Sequence, residues 1–163
     1  MELPEATKIR LQDQHRIIDD LINRMTNKQW DEQVISGKWN IHQQLAHLVR
    51  YQEIFFGRIQ QIMGSFSAVF KPYTAEEDVE FERAAQAPVP ELLNRLTEMR
   101  ETLIRFYLSL NSGELVRKGR HTRLGNLSIA LWAEFFLLHE AHHIFEIFRM
   151  SRLLLANNES EGD

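Results

Sequence analysis

The sequence of 163 residues contains no cysteine. Thiolate nucleophiles, thiolate metal sites and disulfides are therefore excluded, and any metal must be held by nitrogen or oxygen ligands. Positive charge is not in excess either, since 19 Lys and Arg against 23 Asp and Glu give a formal charge of −4. This balance argues against binding to the phosphate backbone of nucleic acids.

Long apolar runs are also missing. Residues 135–138 form a typical run, far shorter than the roughly 18 residues that a membrane-spanning helix needs. Residues 1–10 are of mixed charge and lack the apolar segment of a secretory signal. We therefore expect a cytoplasmic protein that binds neither nucleic acid nor membrane.

Strand signals are scarce, because apolar and polar residues do not alternate and Asn-Gly or Asp-Gly turns are absent. Four segments instead repeat apolar residues three or four positions apart, which is typical of amphipathic helices. The predicted helices cover residues 4–25, 41–64, 90–110 and 126–156. Asn40 with Gln43 matches a capping box at the second start, Pro90 suits a first helical position, and Asn126 is the predicted cap of the last helix.

The connector between the second and third helices, residues 65–90, is unusually long. Within it, Thr74 and Glu77 match a capping box and predict a short helix over residues 75–85. Such a connector favours a crossover rather than a tight turn between antiparallel neighbours. We therefore predict an all-α fold, a four-helix bundle with a long crossover, as a single domain over residues 1–156. The acidic residues 157–163 are predicted to form a disordered tail.

Histidines on the last helix are the strongest chemical signal. His139 and His143 are four residues apart and share a largely apolar helix face. Two imidazoles on a core-facing stripe need partners, and one shared metal ion would satisfy both. Hydrogen-bonded core histidines are an equally good interpretation of this pair, and a better one for His47 considered alone.

The same residues also satisfy the pattern H-E-x-x-H, in which Glu140 would be the general base of a zinc metallopeptidase. Neither a downstream ligand nor a substrate-binding edge strand is evident, so this remains a remote alternative. Separately, Arg120 and Arg123 belong to a basic loop, residues 112–125, that leads into the last helix. They could bind an anion at the helix start, although a solvated basic loop is the more ordinary interpretation.

Two motifs resemble the DinB/YfiT-like superfamily. The first is Gly-Lys-Trp-Asn-Ile-His-Gln-Gln-Leu-Ala-His-Leu over residues 37–48, with a Trp before the capped helix and Ala-His-Leu within it. The second is Leu-Gly-Asn-Leu at residues 124–127 followed by His-Glu-Ala-His-His-Ile at residues 139–144. The resemblance covers nearly the whole chain. It implies an up-down-down-up bundle, commonly a homodimer, with a divalent metal held by three histidines.

Carried onto this sequence, the resemblance implies His47, His139 and His143 as the metal ligands. His142 is the ambiguous neighbour, because an error of one residue in register would exchange it with His143. Glu140 or Glu146 could accept a hydrogen bond from a ligand imidazole, and Glu146 could close the site as a fourth ligand. The expected ion is Zn or Ni, with Fe or Mn as further candidates.

The family's characterised members imply a function in small-molecule chemistry. They are metal-dependent transferases that activate a low-molecular-weight thiol, or isomerases and hydrolases that use the same site. We therefore hypothesise a metal-dependent enzyme, in particular a thiol S-transferase, in which the ion lowers the pKa of a substrate thiol. A non-catalytic metal-binding or stress-related bundle is the alternative.

Overall fold

Ten helical segments and three short strands make up the computed structural model, which describes residues 2–65 and 67–160, with side chains through residue 156. The α-helices are α1 (Glu5–Asp13), α2 (Ile17–Ile22), α3 (Asn27–Asp31), α4 (Ile41–Gly64), α5 (Val79–Ala84), α6 (Val89–Ser109), α7 (Ser112–Leu115) and α8 (Ile129–Ser160). The strands are β1 (Val69–Phe70), β2 (Lys118–His121) and β3 (Gly125–Ser128), and two 3-10 turns cover Gln14–Arg16 and Ala75–Glu77.

Four rods form a bundle: the α1–α2 segment, α4, α6 and α8. Side-chain contacts give their directions. Contacts between α4 and α6 advance along both helices, from Gln52 with Leu96 to Phe55 with Tyr107, so these two helices are parallel. Contacts between α4 and α8 run in opposite order, as do those between α1–α2 and α6. The predicted four-helix bundle with up-down-down-up connectivity and a long crossover is therefore confirmed.

Capping explains where the second rod begins. The Asn40 side chain accepts from the Gln43 amide at 2.8 Å, and the Gln43 side chain accepts from the Asn40 amide at 3.0 Å. This reciprocal pair satisfies two of the free amides of the first turn. The predicted cap at Thr74 is wrong, because its side chain makes no capping bond and Asp78 caps α5 instead. The predicted helix over residues 75–85 is consequently a 3-10 turn followed by α5.

Other helix boundaries also differ from those predicted. The first rod is interrupted at Gln14–Arg16 and ends at Ile22, where the predicted helix was continuous to Met25. The last helix extends to Ser160 because no Gly or Pro interrupts it, so the first four residues of the predicted tail are helical. Residues 161–163 of that tail lie outside the described residues. The division into one domain and a tail stays a prediction.

A small sheet, which the sequence analysis did not predict, lies at one end of the bundle. β1 pairs in parallel with β2, and β2 pairs antiparallel with β3. Gly125, at φ +78°, closes the three-residue turn between β2 and β3, a geometry that disfavours residues with a Cβ. Because β3 occupies residues 125–128, α8 begins at Ile129 and Asn126 is not its cap, contrary to prediction.

The core has two apolar clusters along the bundle axis. One is built around Ile41, Leu45, Leu92 and Ile147, and the other around Phe55, Tyr107, Trp132 and Phe136. Polar side chains from α4 and α8 lie near the junction of the clusters, and they form the site described below. None of the helices in the described part of the chain is long and apolar enough to cross a membrane.

Candidate metal centre

Three histidines meet between the second and last rods, α4 and α8. His47 lies in the second turn of α4, and His139 and His143 lie one turn apart on α8. Since α4 and α8 are antiparallel, their facing stripes place the three imidazoles together. His47 is 4% exposed and His143 is 8% exposed, while His139 is partly buried. The cluster therefore lies inside the bundle with one side toward solvent.

The ring nitrogens of this cluster converge. Nε2 of His139 is 3.3 Å from Nε2 of His47 and 3.3 Å from Nε2 of His143. One nitrogen from each ring lies within 4.8 Å of the other two. A tetrahedral ion bound at 2.0–2.1 Å by nitrogen ligands places those ligands about 3.3–3.4 Å apart. The observed spacing therefore fits one ion shared by the three rings.

All three imidazoles are neutral at physiological pH. Burial lowers the pKa of His47 to about 4, that of His139 to about 3 and that of His143 to about 2, and the neighbouring histidines add to each effect. A neutral imidazole offers a lone pair, which is the form that binds metals.

Gln44 determines which nitrogen of His143 carries that lone pair. The Nδ1 atom of His143 donates to Oε1 of Gln44 at 2.7 Å, so its Nε2 is the unprotonated nitrogen and faces the cluster. The Nδ1 atoms of His47 and His139 are buried with no hydrogen-bond partner among the described residues. A metal bound at Nε2 would leave each of these Nδ1 atoms as an N–H without an acceptor, as a core histidine does. The case for an ion therefore rests on the convergence of the ring nitrogens.

Aromatic rings enclose the histidines. The Tyr51 ring stacks on His139 with centroids 3.7 Å apart, and the Trp39 ring lies 4.9 Å from His47. Tyr73 and Phe81, from the long crossover, lie 5.6 Å and 6.1 Å from His47. These walls exclude water from the imidazoles and lower the local dielectric constant, which strengthens interactions with a bound cation.

The two adjacent histidines lie in different places. His143 is in the cluster, whereas His142 is exposed and its ring lies 5.1 Å from that of His143, edge to face. Their roles as ligand and neighbour remain predictions. The predicted contacts of the two glutamates with the imidazoles are not found. Glu146 accepts instead from Arg149, and the described cluster contains only the three histidines.

Glu140 lies outside the histidine cluster and binds other residues. Its carboxylate is 1% exposed, forms an ion pair with Arg100, and accepts from Gln14 at 2.9 Å. On a helix, residue 140 is turned about 100° from residue 139, so its side chain enters the interface with α1 and α6 rather than the cluster. Glu140 is therefore neither an acceptor for the imidazoles nor a general base beside them. The position of Glu140 therefore does not favour the metallopeptidase alternative, which needs that base beside the metal.

The two arginines predicted to bind an anion are not at a helix start. Arg120 lies in β2 and Arg123 lies in the turn that follows, and both are exposed. The sheet thus separates them from the first turn of α8, contrary to the expected geometry. Their anion binding stays a prediction.

Sequence reasoning missed several residues of the site. Gln44 and Tyr51 lie three residues before and four residues after His47, so helical spacing could have placed them on its face. Tyr73 and Phe81 come from the crossover. The periodicity of the four helices carries no information about where the crossover packs.

The chain is thus an up-down-down-up helical bundle with three histidines that could hold a metal ion between its second and last rods. The chain belongs to the DinB superfamily, whose family model matches residues 10–147. It is 22% identical over 137 residues to an Oceanobacillus iheyensis protein named "Putative metal-dependent hydrolase", covering 84% of this chain and 79% of that protein.

The fold also matches a solved structure. YfiT from Bacillus subtilis, described as a "probable metal-dependent hydrolase with an unusual four-helix bundle topology", superposes with a TM-score of 0.80 at 19% identity. The match covers 91% of this chain and 85% of YfiT. At this identity the likeness establishes the shared fold.

Proposed function

We propose that this protein is a metal-dependent enzyme acting on small molecules, with one divalent ion held by Nε2 of His47, His139 and His143. The observation that supports it most directly is the convergence of these nitrogens: Nε2 of His139 is 3.3 Å from each of the other two, and Gln44 directs the His143 lone pair inward. Zn and Ni suit three imidazoles best, and Fe or Mn could also be accommodated.

Three protein ligands leave coordination positions open, as in catalytic rather than structural sites. A divalent ion at such a site supplies a Lewis acid that lowers the pKa of a bound water or thiol. The chain itself holds the three ligands in their neutral form and keeps water away through Trp39 and Tyr51.

Within this class, we propose a low-molecular-weight thiol as the nucleophile, making the enzyme an S-transferase. The supporting observation is that the described cluster contains no carboxylate, and that Glu140 and Glu146 are paired with arginines. A thiol with a pKa of about 8.5 needs little help to ionise, whereas water, at about 15.7, gains more from a nearby base. Such thiols are kept reduced in the cytoplasm, where we place the activity. Hydrolysis, which the names of the relatives suggest, is the competing reaction.

Elemental analysis after loading with Zn²⁺ tests the site. We expect about one equivalent per chain in the wild type and a loss of binding in His47→Ala. His142→Ala is the matched control, because this exposed histidine borders the cluster without joining it. Stoichiometric metal in His47→Ala would reject the assignment. The two reactions are then compared by supplying the loaded enzyme with an ester and with an electrophile plus thiol.

We also propose that the protein forms a homodimer through the outer face of α8. Leu131, Leu138 and Phe145 recur every seven residues along this face and are 52%, 62% and 56% exposed. They span about 21 Å of helix. A heptad-spaced apolar stripe is the pattern with which two helices pack against each other, and a second copy of this chain supplies the identical stripe.

A further inference from the structure

Arg58 is a buried cation without an acidic partner. Arg58 is 8% exposed, and its Nη2 atom donates to the Lys71 carbonyl at 2.8 Å. Its guanidinium lies 5.5 Å from the centroid of the Phe70 ring. The other arginines of the interior are neutralised: Arg100 pairs with Glu140, and Arg50 pairs with Asp78. Arg58 forms no ion pair with any side chain in the described part of the chain.

A buried, unpaired guanidinium is costly, because desolvation of the charge is not repaid by an opposite charge. Consistently, burial lowers the pKa of Arg58. A guanidinium has five N–H donors in a planar fork, and the Lys71 carbonyl receives one of its nitrogens. The remaining donors fit a carboxylate or phosphate.

Arg58 also lines a cavity of about 460 Å³ between α4 and the crossover, which is shallow and wide open to solvent. Ile54, Phe70 and Tyr73 line it with apolar surface, and the exposed Lys71 adds a second cation. Of its two acids, Asp78 is bound by Arg50 at 2.7 Å and by the Tyr73 hydroxyl at 2.9 Å, while Glu77 is exposed. The cavity therefore has the size and charge for a small anionic molecule.

The cavity and the histidine cluster share a wall. Tyr73 lines the cavity, and its ring lies 5.6 Å from that of His47. His47 and Arg58 are eleven residues apart on α4, which returns them to the same face about 16 Å apart along the axis. The long Arg58 side chain can shorten that distance, since helical side chains lean toward the N-terminus.

We propose that Arg58 binds the oxyanion, a carboxylate or a phosphate, of the small molecule whose reacting atom lies at the three histidines. This inference rests on the proposed function and adds the class of substrate. Arg58 is thus a specificity-determining residue, and its place inside the cavity distinguishes it from the exposed Arg120 and Arg123.

Anion binding to full-length, EDTA-treated protein tests the inference without the metal. Malonate and inorganic phosphate are titrated separately, by calorimetry and by following the Arg58 Nε–H resonance. We expect saturable binding that is about tenfold weaker or more in Arg58→Met and unchanged in Arg24→Gln, which alters an exposed arginine outside the cavity. The anion with the higher affinity identifies the substrate group.

Equal affinity in wild type and Arg58→Met, or no saturable binding of either anion to the wild type, would overturn the inference. If Arg58→Met does not fold, Arg58→Lys is tested instead. Lysine keeps the positive charge but lacks the planar pair of N–H donors, so we expect a several-fold loss of anion affinity. Metal content separates the two proposals. Normal Zn²⁺ loading with anion binding that does not depend on Arg58 overturns this inference alone. Arg58-dependent anion binding without Zn²⁺ loading overturns the proposed function and leaves Arg58 as an anion site with no reacting centre beside it.

Discussion

Substitution of Glu140 by Gln should destabilise the fold strongly. The carboxylate is 1% exposed and is the counter-ion of Arg100, which is fully buried. Arg100 also donates to Gln52 at 2.8 Å and to the Leu11 carbonyl at 3.2 Å, so it cannot turn to solvent when its partner is lost. The neutral amide would leave a buried charge without compensation.

Breaking a buried ion pair from one side costs about 3–5 kcal/mol. The new amide would also bring a second donor toward Gln14, whose Nε2 donates to Glu140 at 2.9 Å. Since domains of this kind are stable by about 5–15 kcal/mol, the loss should be a large fraction of the total. Removing both charges in Glu140→Gln/Arg100→Met should recover part of it, because no unpaired ion remains.

The free energy of unfolding is measured by urea denaturation with EDTA present, so that bound metal does not add to stability. Glu146→Gln is the matched control on the same helix, because its partner Arg149 is 46% exposed and such pairs contribute about 1 kcal/mol or less. A cost below about 1 kcal/mol for Glu140→Gln would refute the reasoning. So would a double variant whose cost equals the sum of the single ones.

Three further predictions concern other parts of the molecule. Gln44→Leu should weaken Zn²⁺ binding about 10- to 100-fold in a chelator competition, because the imidazole that Gln44 orients loses its acceptor; unchanged affinity would contradict this role. Leu138→Lys should convert the proposed dimer to a monomer in analytical ultracentrifugation, whereas Leu124→Lys, on the exposed hairpin turn, should not. The α8 interface would be rejected if both variants were dimers or if both were monomers. Burial and the adjacent guanidinium lower the pKa of His15 from 6.5 to about 4, so the folded state binds its proton less readily than the unfolded state. The free energy of unfolding should therefore decrease by up to about 3 kcal/mol as pH falls from 6.5 to 4, and His15→Gln should remove that part of the slope in urea titrations at each pH.

Much of the bundle is readable from local patterns. Apolar spacing in the segments that became α4 and α6 reflects the face each helix buries, and the Asn40–Gln43 box records the start of α4. These signals operate within one or two turns, so a single sequence displays them directly.

The missed features depend on partners far apart in the chain. Gln44 contacts a residue 99 positions away, and Arg100 contacts Glu140 across 40 positions. The sheet has strands of two to four residues, too short to show an alternating pattern. In the candidate site, helical spacing predicts that His139 and His143 share one face of α8. No local sequence pattern predicts that His47 lies opposite them.

Consecutive residues of α8 pack into two different interfaces of the bundle. His139 faces α4 and the histidine cluster, while Glu140, about 100° further round the helix, is paired with Arg100 of α6 and with Gln14 of the first rod. The ion pair therefore restricts rotation of α8 about its own axis. A rotation that improved the contacts of Glu140 would carry His139 and His143 away from His47. The H-E-x-x-H pattern in this chain thus combines the proposed ligand pair with a buried ion pair that anchors the helix. A glutamate at the position of a catalytic base is here part of the packing between helices.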